Sequence, residues 1–246
     1  ASRWQVPPQS THTIVSGART PPTVVPPSTR PEADPGAGHD AGMRVVAGTA
    51  RGRRLAAPEP PSGKKGAQRG RGGSTSGDPG VRPTTDRVRE STFNALHSRG
   101  AVVGARVLDL FAGTGALGIE ALSRGADHAT FVDRSPEAVR LVEANLVTCD
   151  LAGRATVLRA DGPGWLRTST DFWDLVLLDP PYDFSGWEDL LALVADRVAG
   201  DSVVVVESDR EVPTGDGDGE GHDARWHVDS RRRAAGTVVT LLRPGS

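Results

Sequence analysis

The stretch Asp174-Leu175-Val176-Leu177-Leu178-Asp179-Pro180-Pro181-Tyr182 decides how this chain is read. Its first five residues have the leucine- and valine-rich character of a buried strand, and two prolines end it abruptly because neither can donate to a sheet ladder. The stop presents a carboxylate, a carbonyl with no N–H after it, and an aromatic ring together at a sheet's carboxyl edge. Such a cluster can hold a flat, amine-bearing group by hydrogen bonds to its edge and stacking on its face.

Upstream, Asp109-Leu110-Phe111-Ala112-Gly113-Thr114-Gly115 closes a second apolar run, Arg106–Leu110. Between and beyond these two motifs the periodicity alternates strand and helix. Helix Ala116–Arg124 follows the glycine turn, and Ala129–Asp133 is the second strand. Ser135 caps the next helix, with Pro136 in its first turn, where a missing N–H costs nothing. Thr156–Leu158, Leu175–Asp179 and Ser202–Glu207 are the third to fifth strands, with a helix around Trp187–Val198 between the last two. Trp226–Ser230 and Thr237–Leu242 read as a closing hairpin. Five β/α units and a hairpin predict an α/β fold, an open and mostly parallel sheet with helices on both faces. Ligands in such sheets sit beyond the strands' carboxyl ends. Asp109, Asp133, Asp161 and Asp179 all fall there.

Composition divides the 246 residues into three. Residues 1–42 carry eight prolines and no amphipathic period, and read as a disordered extension, with Met43, the only methionine, as the natural start of the fold. Residues 43–100 hold a basic hairpin (Arg44–Gly48 and Arg51–Leu55), a flexible loop over 61–80 and a helix from about Asp86 to His97 capped by Thr85 or Asp86. Residues 101–246 form the main domain. The net charge of −2 hides twelve Lys/Arg against four Asp/Glu over residues 43–100, and seven against sixteen over 171–246. A basic front on an acidic body suggests that the front faces a polyanion. The single Cys149 excludes an intrachain disulfide and fits a reducing cytoplasm. The acidic run Asp216–Gly221 fails as a calcium loop, because position twelve is His227 rather than glutamate. No His/Cys spacing suits zinc, and no run approaches the ~20 apolar residues of a membrane span.

Gly113-Thr114-Gly115-Ala116-Leu117-Gly118 spells G-x-G-x-x-G, with Asp133 about fifteen residues on. A dinucleotide site is therefore a rival reading. Asp109 argues against it, since a carboxylate four residues before the first glycine would repel a pyrophosphate but welcome a sulfonium and an α-amino group. The glycines admit close backbone approach. Asp133 can accept ribose hydroxyls in either reading. Asp161 is placed to bond an adenine amine, or to cap the segment after it. At the other motif, Asp179 and the Pro180 carbonyl would accept both N–H groups of an exocyclic amine, with Tyr182 stacked on the ring. Those bonds favour the pyramidal, more nucleophilic nitrogen, and positioning supplies much of the acceleration. Together the motifs point to methyl transfer from S-adenosylmethionine onto a nitrogen. A base inside a duplex could not enter, so the target is single-stranded, looped or flipped out.

These residues resemble the bacterial 16S rRNA guanine-N2 methyltransferase family called RsmD. The resemblance spans roughly Met43 to Arg243. It rests on Arg44–Gly48 through Arg51–Leu55, on Arg82-Pro83-Thr84-Thr85-Asp86-Arg87-Val88-Arg89-Glu90, on both strand-end motifs, and on Glu120-Ala121-Leu122-Ser123-Arg124-Gly125. It implies a class I methyltransferase sheet of seven strands, S-adenosylmethionine as donor, and 16S rRNA within a small-subunit assembly as substrate of a cytoplasmic monomer without metal. It implies cofactor contacts from Asp109, Phe111, Ala112, Gly113, Thr114, Gly115, Asp133, Arg134, Asp161 and Thr85, and catalysis by Asp179, Pro180, Pro181 and Tyr182. RNA contacts fall to Arg44, Arg51, Arg53, Arg54, Arg82 and Arg87. Residues 1–42 and the loop 61–80 have no counterpart in the family's pattern. Adenine-N6 methylation of DNA or RNA, NAD-dependent oxidoreduction and plain RNA binding are the alternatives.

Overall fold

The computed structural model describes residues 42–58, 83–214, 225–234 and 236–245, and no side chain of 83–85. The expected extension up to residue 41, the loop 61–80, Arg82 and the acidic run Asp216–Gly221 lie outside the described residues.

Seven strands form one sheet: β1 (Arg106–Leu110), β2 (His128–Asp133), β3 (Ala155–Arg159), β4 (Trp173–Leu178), β5 (Val198–Ser208), β6 (Trp226–Ala234) and β7 (Thr237–Pro244). Their order is β3-β2-β1-β4-β5-β7-β6. The first five run parallel, while β7 pairs antiparallel with both β5 and β6. This is the α/β, seven-stranded architecture that the resemblance implies. The order reverses at β1, which has β2 on one side and β4 on the other, so a crevice opens at the carboxyl ends of these strands.

Helices α1 (Pro83–Ser98), α2 (Ala116–Ser123) and α3 (Pro136–Thr148) cover one face, and α4 (Gly162–Thr168) and α5 (Trp187–Ala195) the other. The two faces read directly from β4. Leu175 and Leu177 enter the core with Phe93, Ile119 and Val142, while Val176 and Leu178 enter the core with Leu166, Trp187 and Leu190. A strand buried on both sides needs apolar residues at every position, which is why this run does not alternate.

The structure corrects several sequence expectations. The basic hairpin contains no regular strand; a single antiparallel bridge joins Arg44 to Arg54. Its backbone bonds, Val45 N to Arg53 O at 3.0 Å and Leu55 N to Met43 O at 2.9 Å, close a tight loop too short for a ladder. Helix α1 starts at Pro83, ahead of the expected cap, so Thr85 and Asp86 lie in its first turn, where proline is well accommodated. Asp86 accepts from Arg89 at 2.8 Å instead of capping. Helix α5 ends at Ala195, and β5 begins at Val198, earlier than read. Helix α4 is the segment that Asp161 could cap, and Asp161 stands at its N-cap. Cys149 is buried at the end of α3, and burial pushes its thiol up.

Candidate active site

Strand pairing brings the acidic strand ends together. Asp109 lies opposite Leu177 of β4, and Leu178 lies opposite Val206 of β5. Asp179 and Glu207 therefore leave neighbouring strands side by side. Successive side chains alternate faces. Asp109, Asp133, Asp179 and Glu207 share the parity of Val107, Phe131, Leu177 and Val205, so all four carboxylates are on the α1–α2 face.

Two cavities meet at this edge. One, of about 630 Å³, is lined by Asp133, Arg134, Asp161, Gly162, Phe184 and the Asp179–Tyr182 segment. The other, of about 520 Å³, is lined by Met43, Arg89, Asp109, Thr114, Glu207 and Thr237. Phe111, Gly113, Asp179 and Tyr182 line both. Phe111 has φ 147°, a backbone conformation uncommon for a residue with a side chain. Its ring packs 5.6 Å from Phe184, which meets Trp187 edge-on at 5.2 Å. Tyr182 is 69% exposed, free to receive a flat partner.

The field is acidic. Asp109 is buried, and its Oδ2 accepts the Gly118 N–H at 2.9 Å. Burial pushes its carboxyl up to about 8; the Gly118 bond opposes this, while the charges of Asp179, Asp133 and Glu207 add to it. Desolvation lifts Asp179 to about 6, although its side chain is reached by solvent through the cavity. Glu207 rises to about 7 through burial first and Asp179's charge second, with Arg89 opposing. A pyrophosphate would raise these costs further. A cation beside Asp109 would relieve them. The donor set therefore fits a sulfonium carrying an α-amino group and disfavours a dinucleotide.

Asp133 organises the glycine turn. Its Oδ2 accepts from Gly113 N at 2.9 Å and its Oδ1 from Ser135 N at 2.8 Å, while Ser135 caps α3. Each oxygen keeps a lone pair for a ligand. Asp161 caps α4 through Oδ2, 2.9 Å from Gly164 N, and its other oxygen remains available to the cavity it lines. Gly118 cannot carry a side chain, because a Cβ there would sit 2.3 Å from the Phe131 ring. Ala112 is buried beneath the turn, and Gly115 opens α2.

The hairpin is bolted to α2 beside the second cavity. The buried Glu120 carboxylate accepts Val46 N at 2.8 Å and Ala47 N at 3.0 Å, and Arg124 Nε at 2.7 Å. Ser123 Oγ accepts Ala50 N at 2.9 Å and donates to Ala47 O. Gly48 has φ 84° and passes so close that a Cβ would lie 1.9 Å from the Ser123 carbonyl oxygen. Arg44, Arg51, Arg53 and Arg54 thus stand exposed beside the cavity wall made by Met43, and Arg87 is exposed on α1. The side chain of Thr85 lies outside the described residues.

Sequence reasoning missed Glu207, Arg89, Phe184 and Met43 as site residues. Glu207 carried a usable signal, being an acid at the end of a strand in step with Asp179. Arg89 is tied to Arg44 O at 2.6 Å and lies 3.9 Å from Glu120, contacts made only in three dimensions. Among the described residues no helix is long and apolar enough to cross a membrane, and no His/Cys/Asp/Glu group could hold a metal ion.

Residues 64–225 match the family model described as "Conserved hypothetical protein 95". The chain is 41% identical over 176 residues to "Putative rRNA methyltransferase YlbH" of Bacillus subtilis, covering 69% of this chain and 84% of the relative. It is 34% identical over 204 residues to "Ribosomal RNA small subunit methyltransferase D" of Escherichia coli K12, covering 81% and 88%. Among solved structures, "Putative methyltransferase yhhF" from Escherichia coli superimposes with a TM-score of 0.64 at 30% identity, covering 83% of this chain and 99% of that one.

Proposed function

Because this chain belongs to the family of conserved hypothetical protein 95, the RsmD-type rRNA methyltransferases, we propose that it methylates the exocyclic N2 amine of a guanine in small-subunit ribosomal RNA, with S-adenosylmethionine as donor. One observation carries this reading: Asp179, Phe111, Gly113 and Tyr182 line both cavities, so a nucleoside cofactor and a flat amine can meet at the tip of β4.

When bound, S-adenosylmethionine supplies an electrophilic methyl group on a sulfonium. Asp133 would hold the ribose hydroxyls, Asp161 and Arg134 border the adenosine part, and Asp109 offers its carboxylate to the positive end. The fit rests on the acidic field around Asp109 and on the close backbone approach permitted at Gly113. On the other side, Asp179 and the Pro180 carbonyl accept the two N–H bonds of the target amine. Pro181 stiffens the turn, and Tyr182 stacks on the base. These groups hold the nitrogen's lone pair in line and exclude water from one side of it. On transfer the electron pair of the broken S–CH3 bond would stay on sulfur, leaving S-adenosylhomocysteine, and the amine's surplus proton would go to Asp179 or to solvent.

Arg44, Arg51, Arg53, Arg54 and Arg87 present charge to RNA phosphates, which position a substrate without reading its sequence. The reaction belongs on ribosomal small-subunit assemblies in the cytoplasm. The test is transfer of labelled methyl from S-adenosylmethionine to small subunits lacking the mark, followed by nucleoside analysis. Label is expected in N2-methylguanosine. Label in N6-methyladenosine, or only in protein, would overturn the assignment.

A further inference from the structure

Glu207 lies at the carboxyl end of β5, next to the proposed catalytic carboxylate. The strand order β1-β4-β5 puts Asp179 between Asp109 and Glu207, so the glycine turn lies to one side of Asp179 and Glu207 to the other. Among the described residues nothing donates a hydrogen bond to the Glu207 carboxylate, which lines the cavity shared with Asp179 and Tyr182. The cation whose field reaches it, Arg89, is engaged elsewhere. Its Nη2 donates to Arg44 O at 2.6 Å and to Asp86 Oδ1 at 2.8 Å, and its Nε lies 3.9 Å from Glu120 Oε2. Arg89 is 4% exposed and lines the same cavity, so it supports a negative charge on Glu207 without occupying its oxygens.

Two adjacent carboxylates at a pocket edge call for two adjacent donors on the ligand. Among amine-bearing bases only guanine offers them. Its N2 amine is flanked by N1–H, whereas the amines of adenine and cytosine are flanked by a ring nitrogen with a lone pair. Resting on the function proposed above, we infer that Glu207 is the specificity-determining residue, accepting the guanine N1–H while Asp179 and the Pro180 carbonyl hold N2. A bare ring nitrogen at the same place would face a carboxylate oxygen, lone pair against lone pair. An active site built to take a donor rejects the analogue that lacks it far more strongly than an apolar pocket rejects a missing methylene.

The test compares guanine with 2-aminopurine at the methylated position of reconstituted small subunits, because 2-aminopurine keeps the amine but has an unprotonated N1. Wild-type enzyme should favour guanine by on the order of a hundredfold in kcat/KM. Glu207→Gln should lower transfer to guanine and narrow that preference to within about tenfold, since a side-chain amide can donate to the bare nitrogen. The missing O6 of 2-aminopurine affects both enzymes alike and drops out of the comparison. Calorimetry with S-adenosylmethionine should give the variant an affinity within about twofold of wild type, which also reports that it is folded; the wild-type preference needs no variant at all. An unchanged preference in Glu207→Gln, no preference in wild type, or a loss of cofactor affinity as large as the loss of activity overturns this proposal alone. Wild-type transfer to a base other than guanine overturns the proposed function and this inference with it.

Discussion

The carboxylate of Glu120, wholly buried in α2, accepts the backbone N–H of Val46 at 2.8 Å, a contact across 74 positions of sequence. It joins the basic hairpin to the helix that follows the glycine turn, so the exposed hairpin arginines and the glycine turn share one support. Removing it leaves the Val46 and Ala47 N–H groups and Arg124 Nε without their acceptor. Glu120→Ala should cost about 3–5 kcal/mol in urea unfolding, the usual loss when one partner of a buried charged network is deleted. Amide exchange at Val46 and Ala47 should accelerate more than at β1. Protection unchanged at those two amides would show that the hairpin stays docked without Glu120.

Asp179→Ala should reduce methyl transfer by about a hundred- to a thousandfold, by analogy with loss of a preorganised polar group at a reacting centre. Binding of S-adenosylmethionine should change little, because the proposed role of Asp179 is toward the target amine. Calorimetry alongside single-turnover transfer checks both halves. A parallel loss of affinity would move Asp179 into the cofactor's binding shell.

Asp109 is expected to link binding of the proposed cofactor to protons. Its folded carboxyl, at about 8, lies far above its ordinary value of 3.8. The folded state therefore holds a proton that the unfolded chain releases, and stability falls as pH rises from about 4 to about 8. For one such group the slope approaches about 1.4 kcal/mol per pH unit. Asp109→Asn should flatten that slope, because the amide oxygen can still accept from Gly118 without a charge to desolvate. A cationic ligand favours the ionised form, so S-adenosylmethionine should bind with proton release at pH 7 and more tightly at pH 8. Calorimetry in buffers of different ionisation enthalpy measures the release directly; identical heats in all buffers would contradict the assignment.

The pair Asp179 and Glu207 is expected to set the acid limb of the rate profile. Both are raised, to about 6 and about 7, and each accepts an N–H group most strongly when ionised. The value of kcat/KM should therefore fall as pH drops through 7 to 6 and level off above about 8, with apparent values that belong to the pair. Glu207→Gln should leave a single limb at a lower pH, since removing the neighbouring charge eases ionisation of Asp179. An unshifted limb would mean that the two carboxylates do not share a field.

Gly48→Ala is expected to destabilise the protein by about 1–3 kcal/mol, because it combines a positive φ with a Cβ driven into the Ser123 carbonyl. Thermal unfolding measures it. Gly52, also at positive φ but with open space around it, serves as the control and should cost less.

The amino-acid sequence by itself determined the sheet and two of its strand-end motifs. The apolar runs at Arg106–Leu110 and Trp173–Leu178 are buried on one or both faces, so their hydrophobicity is local and legible, and Ser135-Pro136 marks the start of α3 through cap chemistry that needs no distant partner. Asp109, Asp133 and Asp179 could be picked out because each lies at or beside the end of such a run. Only the tertiary structure decided that Glu207 stands beside Asp179, that Arg89 reaches from α1 to the hairpin, and that Glu120 and Ser123 hold residues 46–50 in place. Those contacts join residues 45 to 76 positions apart or depend on strand register, and they use polar atoms with no periodic pattern. The hairpin departs from two regular strands for the same reason: the N–H groups of Val46, Ala47 and Ala50 at its turn go to Glu120 and Ser123 of α2, a partnership that a one-dimensional reading has no means of pairing.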